Sequence, residues 1–152
     1  SLDSISEELF DKVVALNLKG PFRLMALVGK QMMENNGGTI INISSVAAVA
    51  PSPGSQPYGA AKAGLNSLTQ AFAHAYGPKV RVNCIMAGPF LTDISKAWDM
   101  EVFNKRASKM PLKRGGKPSE VVGAALYFAS NASSFTTGSV LTVDGGWTAA
   151  CW

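Results

Sequence analysis

The chain has 152 residues, of which 47% are hydrophobic and 16% are charged, and its formal net charge is +4. This composition excludes a disordered chain and predicts a single domain over residues 1–152 with a sizeable core. No run of about 18 apolar residues is present, which excludes a membrane-spanning helix, and the polar start Ser1-Leu2-Asp3-Ser4 lacks the features of a secretory signal. We therefore expect a cytoplasmic protein.

The first two predicted helices lie on either side of a polar residue. Ser4-Ile5-Ser6-Glu7 has capping-box spacing and predicts the start of a helix with an apolar face from Leu9 to Leu16. Asn17 follows, and the residues alone favour a polar break between two helices there, supported by Gly20-Pro21. The second helix is predicted to stop at Asn35-Asn36-Gly37-Gly38.

A β-branched run from Thr39 to Ile43 is apolar at nearly every position, as expected of a parallel strand that is covered on both faces. Ser45 ends this strand, which would place its hydroxyl at the rim of a sheet. A simple cap or turn hydroxyl is the alternative explanation. Residues 46 to 57, with three prolines and a glycine, predict a loop that borders the site.

Tyr58 and Lys62 lie four residues apart on one face of a helix that is predicted from Tyr58 to Tyr76. A phenol titrates at about pH 10 in water, so it exchanges protons near neutrality only if a positive charge stabilises the phenolate, and Lys62 can supply that charge. An isolated Tyr-x-x-x-Lys pattern is usually part of an ordinary amphipathic helix. Ser45 at the end of the preceding strand favours a catalytic site instead.

The same helix carries two rows of residues at helical spacing. One apolar row is predicted to face the core: Ala61, Leu65, Leu68 and Phe72. The other row consists of small residues and predicts a helix-to-helix subunit contact, with dense packing inside the chain as the alternative: Ala60, Gly64, Ser67, Ala71 and Ala75.

The remaining chain predicts two more strands, at Lys79 to Met86 and at Val140 to Val143, with a turn at Asp144-Gly145-Gly146. Helices are predicted around 97 to 108 and from Pro118 through Ser130. The tail from 147 to 152 is apolar and predicts cover for a subunit contact. Three strands alternating with helices indicate βαβ units and therefore an α/β fold.

The two cysteines and a cluster of basic residues are candidates for a metal site and a partner site. Cys84 and Cys151 have no metal-like spacing, so we expect reduced thiols and no metal site. Six basic residues crowd one region and raise the hypothesis of a nucleic-acid-binding module, but few aromatic residues accompany them, which favours a solvated loop and no nucleic-acid partner: Lys105, Arg106, Lys109, Lys113, Arg114 and Lys117.

Five stretches resemble, in order, motifs of the short-chain dehydrogenase/reductase family. These are Asn17-Leu18-Lys19-Gly20, the run from Ile40 to Ser45, Tyr58-Gly59-Ala60-Ala61-Lys62, the segment from Arg81 to Thr92, and the segment from Thr137 to Gly146. The resemblance implies the C-terminal part of a Rossmann-type doubly wound parallel sheet, with three strands and flanking helices. Ala87 departs from the family pattern, which has proline there, and the pose of the following loop depends on that difference.

The resemblance also implies a function. It implies reversible hydride transfer between NAD or NADP and a small-molecule carbonyl or alcohol, in a homo-oligomer (dimer or tetramer). The catalytic residues it implies are Asn17, Ser45, Tyr58 and Lys62. The cofactor-binding residues it implies are Tyr58, Lys62, Gly88, Pro89 and Thr92.

One part of the family pattern is absent from this sequence. No Gly-rich turn after a strand, which would hold the cofactor pyrophosphate, opens the chain. We therefore expect the first strand to have an unpaired edge, which favours pairing with another chain. This predicts either an obligate oligomer or the loss of an N-terminal part that the native enzyme contains. The alternative function is a catalytically silent fragment that acts only in subunit association.

Overall fold

Three parallel strands form the sheet of this protein, seen in a computed structural model that describes residues 4–150. The strands are β1 (Gly38–Ser45), β2 (Val80–Ala87) and β3 (Val140–Val143), in the order β1-β2-β3. β1 pairs with β2 over their whole length, whereas β3 pairs only with the last four residues of β2. The three strands and their parallel order confirm the α/β prediction.

The described residues form five α-helices, of which α2, α3 and α5 pack against the sheet. The helices are α1 (Glu7–Val14), α2 (Gly20–Glu34), α3 (Gln56–Tyr76), α4 (Met100–Ala107) and α5 (Val122–Ala129). No helix in the described part of the chain is long and apolar enough to cross a membrane.

The start of α1 differs from the sequence prediction. The N-cap is Ser6, whose Oγ accepts a hydrogen bond from the Leu9 amide at 3.2 Å, and the capping-box assignment to Ser4 is wrong. Ser6 has extended backbone angles and is followed by Glu7 and Glu8, whose carboxylates favour the positive end of the helix dipole.

The predicted break at Asn17 is also wrong, because helical backbone continues through it. Residues Ala15–Lys19 form a π-helical turn that joins α1 to α2, and the Gly20 amide bonds to the Ala15 carbonyl five residues back. Pro21 lies in the first turn of α2, where a missing N–H is tolerated. The helical backbone therefore continues without a break from α1 to α2, because the wider π turn accommodates Pro21.

The main core lies between β1, β2 and the helices α2 and α3. Its buried side chains are Met25, Leu65, Ala73, Val80 and Val82. The predicted core row of α3 is confirmed at Ala61 and Leu65, which are buried, while Leu68 and Phe72 are partly buried against the cluster.

Most of the small-residue row on α3 faces solvent in the single chain. Ala60, Ser67, Ala71 and Ala75 are exposed. Gly64 is the exception, because a Cβ there would lie 2.9 Å from the Leu18 side chain of the π turn. Packing inside the chain therefore explains Gly64, and the subunit contact stays a prediction for the other four residues.

The opposite face of the sheet is covered by α5. The Arg81 guanidinium on β2 donates to the Phe128 carbonyl at 3.0 Å and to Ser133 Oγ at 2.8 Å, and Thr39 Oγ1 on β1 donates to the same Phe128 carbonyl at 3.2 Å. These bonds satisfy carbonyl groups at the end of α5, where the helix dipole also favours a cation. Cys84 of β2 is a buried free thiol, whereas Cys151 lies outside the described residues.

A second, smaller cluster holds the segment after β2 against the chain end. Phe103, Ala107 and Met110 are buried, and Trp98 and Trp147 pack against them. Trp147 therefore belongs to a cluster inside this chain. The predicted subunit contact of the tail also involves residues 151 and 152, which lie outside the described part, and it stays a prediction. Among the described strands β1 pairs only with β2, and the unpaired edge stays a prediction.

Candidate active site

A cleft of about 890 Å³ lies at the carboxyl ends of β1 and β2. Ser45, Ala87 and Val143 are neighbours in the sheet register, so the three strands end at the same level. Five of the predicted site residues share the lining of this cleft, together with apolar side chains of the segment after β2: Ser45, Tyr58, Gly88, Pro89 and Thr92. We call residues 93–117, which form the outer wall, the lid.

Ser45 ends β1 with its side chain half-buried in the cleft lining. Its Oγ accepts a hydrogen bond from the Ala47 amide at 3.2 Å and thereby caps the short 3₁₀ turn Val46–Ala48. A hydroxyl whose oxygen accepts that bond still has its proton available for donation. The cap explanation and a position in the cleft therefore both apply to Ser45.

Tyr58 lies in the first turn of α3, which begins at Gln56, two residues earlier than predicted. Gly59 explains how closely this turn approaches the end of β1, since a Cβ there would lie 2.8 Å from the Ala47 carbonyl oxygen. Pro57 fits at the helix start because it needs no amide hydrogen there. Gly59 was not among the predicted site residues, although a glycine beside a candidate catalytic residue is a signal for close approach.

Lys62 lies behind Tyr58 and is absent from the residues that line the cleft. Its Nζ is 5.6 Å from the centroid of the Tyr58 ring and donates a hydrogen bond to the Ile43 carbonyl at 2.9 Å. Burial lowers the pKa of Lys62 below its ordinary value, because desolvation disfavours the charged ammonium.

Asn17 lies in the π turn rather than in the cleft lining. Its Nδ2 donates to the Val13 carbonyl at 3.0 Å, and the side chain is half-buried. The π turn packs against α3, as the Leu18 contact at Gly64 shows. π turns inside α-helices occur frequently at functional sites, which is a signal that the sequence alone did not reveal.

Gly88 joins the end of β2 to the end of β3. Its amide donates to the Val143 carbonyl at 2.9 Å, and a Cβ at this position would lie 2.5 Å from the Asp144 Cα. No side chain other than hydrogen fits there. Ala87 is an ordinary last residue of β2, so the departure from the family pattern leaves the strand intact.

Asp144 fixes the turn that Gly88 contacts, although its sequence pattern indicates no more than a turn. Its carboxylate accepts hydrogen bonds from the amides of Gly146 and Thr148, each at 2.8 Å, and from Thr148 Oγ1 at 2.6 Å. Burial acts to raise the pKa of Asp144, but the hydrogen bonds from Thr148 and Gly146 outweigh burial and hold that pKa below its ordinary value.

Thr92 ends the loop that follows Gly88 and Pro89. Its carbonyl accepts bonds from the Ser95 amide at 3.0 Å and from Ser95 Oγ at 2.6 Å, which fix the first turn of the lid. The Thr92 hydroxyl is exposed and makes no hydrogen bond to the part of the chain that the structure describes. It is therefore available to a bound molecule.

Comparison with known proteins identifies the group to which this arrangement belongs. A family model described as enoyl-(acyl carrier protein) reductase matches residues 1–148. A 3-oxoacyl-(acyl-carrier-protein) reductase from Chlamydia trachomatis is 41% identical over 143 residues, which make up 93% of this chain and 58% of that protein. An NAD-dependent glycerol dehydrogenase from Listeria innocua is 37% identical over 148 residues, which make up 96% of this chain and 58% of that protein.

A solved structure gives the same result for the fold. The structure of a 4-hydroxyisoleucine dehydrogenase mutant complexed with NADH and succinate has a TM-score of 0.91 and 33% sequence identity, over 96% of this chain and 62% of that one. The chain thus spans about 58% of the length of the curated relatives described above. Its sheet, its ordered motifs and its relatives agree, and the chain belongs to the short-chain dehydrogenase/reductase family.

Proposed function

We propose that this chain carries the reaction centre of an NAD- or NADP-dependent oxidoreductase that interconverts a small-molecule carbonyl compound and an alcohol. The observation that carries the proposal is the cleft in which Ser45 and Tyr58 share a lining with Gly88, Pro89 and Thr92, while Lys62 lies behind the Tyr58 ring. The family relationship supports the same general type of activity.

The residues around Gly88 fit a flat nicotinamide ring. Gly88 contributes bare backbone to the cleft, because Asp144 excludes any side chain at that position. Pro89 follows it, and the unengaged Thr92 hydroxyl is available to a carboxamide or phosphate oxygen. Tyr58 would contact the cofactor from α3, and Lys62 would do so by extending past the Tyr58 ring, since it lies behind that ring and outside the cleft lining. When bound, NADH or NADPH would supply the hydride to the carbonyl carbon, and the oxidised forms would accept it in the reverse direction.

Ser45 and Tyr58 would act on the substrate oxygen. The Ser45 hydroxyl would donate a hydrogen bond to the carbonyl oxygen and polarise it, and the Tyr58 hydroxyl would give its proton to the alkoxide as it forms. One hydride on carbon and one proton on oxygen complete the alcohol. The Lys62 ammonium, close to the ring, would stabilise the phenolate that remains.

Asn17 would contribute from the π turn by holding a water molecule on the proton path beyond Lys62. Its Nδ2 is engaged by the Val13 carbonyl, whereas its Oδ1 accepts no hydrogen bond from any described residue. An acceptor in that state can bind a water.

Titration with NADH and with NADPH tests this proposal. Trp98 and Trp147 line the cleft, so energy transfer from their fluorescence to the reduced nicotinamide reports binding directly. Because this sequence has no Gly-rich turn to hold the cofactor pyrophosphate, we expect the affinity to be strongly reduced. Saturable binding followed by turnover of a carbonyl panel would support the proposal, and the preferred coenzyme would identify NAD or NADP. Tyr58→Phe should retain binding and reduce turnover by about 10²-fold or more, whereas Tyr127→Phe, outside the cleft lining, should leave both unchanged.

The second candidate is a catalytically silent fragment that acts in subunit association. The exposed row Ala60, Ser67, Ala71 and Ala75 favours it, as do Leu24 and Leu27 of α2, which are 63% and 59% exposed. Sedimentation velocity should then show a dimer or tetramer that Ala71→Glu dissociates, while the matched charge change Gln70→Glu does not. Association without any binding of NADH or NADPH up to millimolar concentrations would favour this candidate over the oxidoreductase.

A further inference from the structure

The two charged side chains that line the cleft, Asp99 and Arg106, differ in their partners. The Asp99 carboxylate caps α4, and its Oδ1 accepts hydrogen bonds from the amides of Glu101 and Val102, each at 3.0 Å. The Arg106 guanidinium makes no hydrogen bond or ion pair with any residue between 4 and 150. The cleft therefore presents one cationic side chain that has no partner in the described part of the chain.

A simpler explanation for Arg106 is its place in the last turn of α4, where a cation is favoured by the helix dipole. Lys105 lies in the same turn and serves the dipole equally well, but it does not line the cleft. The helix dipole therefore accounts for both Lys105 and Arg106, but it does not explain why Arg106 borders the cleft. Lys105 serves as a matched control residue.

The surroundings of Arg106 favour a ligand with both apolar and anionic parts. Ile94, Val102 and Phe103 line the cleft on the lid side, and Ile94 is 72% exposed in the single chain. Burying such side chains against an apolar ligand is favourable. A guanidinium binds carboxylate and phosphate groups through two parallel hydrogen bonds, a geometry that neutral oxygens do not reproduce.

We propose that Arg106 binds the anionic group, a carboxylate or a phosphate, of a substrate whose apolar part lies along the lid. The assignment of this ligand as substrate rests on the proposed function, which places the reacting carbonyl at Ser45 and Tyr58. Arg106 would thus select anionic carbonyl compounds over neutral ones of the same length.

Binding of three simple probes tests the proposal without cofactor or turnover. Nonanoate, octyl phosphate and octan-1-ol share the octyl chain and differ in the head group, and Trp98 and Trp147 report their entry by fluorescence. At low salt, at least one of the two anions should bind about fivefold more tightly than the alcohol, as for a partly exposed ion pair. Arg106→Gln should abolish this preference and leave octan-1-ol affinity unchanged, while Lys105→Gln should retain it.

Three results would overturn the proposal: equal affinity for the anions and the alcohol, an equal loss in Lys105→Gln and Arg106→Gln, or no binding of any probe. The order of affinity for nonanoate and octyl phosphate distinguishes a carboxylate site from a phosphate site. Circular dichroism of Arg106→Gln controls for folding, and Arg106→Lys should retain part of the preference. The binding assays with the three probes contain no nicotinamide cofactor. Failure to bind NADH would therefore contradict the proposed function without changing the measured head-group preference.

Discussion

Lys62 donates a hydrogen bond from its ammonium to the Ile43 carbonyl at 2.9 Å, which ties the second turn of α3 to the end of β1. In the opposite direction, Ser44 Oγ donates to the Lys62 carbonyl at 3.1 Å. The strand that ends at Ser45 and the helix that carries Tyr58 are therefore joined by two bonds. The distance between the two proposed catalytic hydroxyls depends on this connection.

Removal of the Ser44 hydroxyl should weaken that connection. Ser44 is 3% exposed, so Ser44→Ala should lower the free energy of unfolding by about 1 kcal/mol, the usual net value of a hydrogen bond. Urea denaturation measures the change. Ser67→Ala, on the exposed face of the same helix, is the control, and a Ser44→Ala effect no larger than that control would contradict the prediction.

Substitution of Gly88 by alanine should disrupt the contact between the ends of β2 and β3. A Cβ there would lie 2.5 Å from the Asp144 Cα, so the backbone must move, at a cost of about 1–3 kcal/mol in unfolding free energy. The control is Gly123→Ala in α5, where no atom lies within 4 Å of a new Cβ and the change should be neutral or stabilising. Equal thermal midpoints for the two variants would refute the contact.

Acid should weaken the fold partly through Glu120. Hydrogen bonds from Arg114, at 2.7 Å to each carboxylate oxygen, and from the Lys117 amide lower the pKa of Glu120 from 4.5 to about 2. A carboxyl whose pKa is lower in the folded state stabilises the fold above its unfolded pKa, and the contribution is lost as the pH falls from 4.5 towards 2.

NMR titration of the Glu120 carboxyl measures this directly. The midpoint should lie near 2 and move towards 4.5 in Arg114→Gln. In parallel, the difference in unfolding free energy between the original protein and Glu120→Gln should be constant at neutral pH and shrink below 4.5. A midpoint that Arg114→Gln leaves unchanged would show that the ion pair does not form in solution.

Alkaline conditions should weaken the fold through Cys84. Burial raises the pKa of the Cys84 thiol above its ordinary value of 9.0. The unfolded chain therefore loses this proton first, and the stabilisation present below pH 9.0 is lost as the pH rises through the folded pKa. The advantage of the original protein over Cys84→Ala should shrink in that range, as followed by urea denaturation, and a constant difference would contradict it.

Unfolding in urea should be a single transition if residues 1–152 form one domain. Trp98 and Trp147 report on the lid cluster by fluorescence, whereas far-ultraviolet circular dichroism reports mainly on the helices around the sheet. Coincident curves are the expected result, since the turn at Asp144 packs against Gly88 at the end of β2. A fluorescence transition at lower urea would identify the lid as a separate unit.

The strands and most helices were predictable because local patterns determine them. The run from Thr39 to Ile43 is β-branched and apolar, and α3 has a clear row of core residues, so their positions follow from periodicity. The strand-to-helix order predicted that Ser45 and Tyr58 border the same site, and both line the cleft. In each case the signal lies within a short stretch of the sequence.

The remaining features depend on contacts between distant segments or on small energy differences. A continuous helix through Asn17 requires a π turn, whose cost depends on packing against α3 rather than on local propensity. The choice of Ser6 over Ser4 as N-cap separates two similar candidates. The contact between Gly88 and Asp144 joins the residues that follow two different strands, so no local pattern could reveal it.

β2 is the one strand here that is hydrogen-bonded on both sides, since β1 and β3 each have a single partner among the described strands. The Val82 and Cys84 amides bond to Thr137 Oγ1 and to the Ser139 carbonyl, in the segment that leads into β3. The alternate amides of β2, such as those of Asn83 and Ile85, face β1 and should be the last to exchange with deuterated water, while the four-residue β3 opens earlier. Local opening at β3 would release the turn at Asp144 and the Trp147 side of the cleft. The side of the cleft formed by Ser45 and Tyr58 would keep its structure, because β1, which ends at Ser45, pairs with β2 over its whole length.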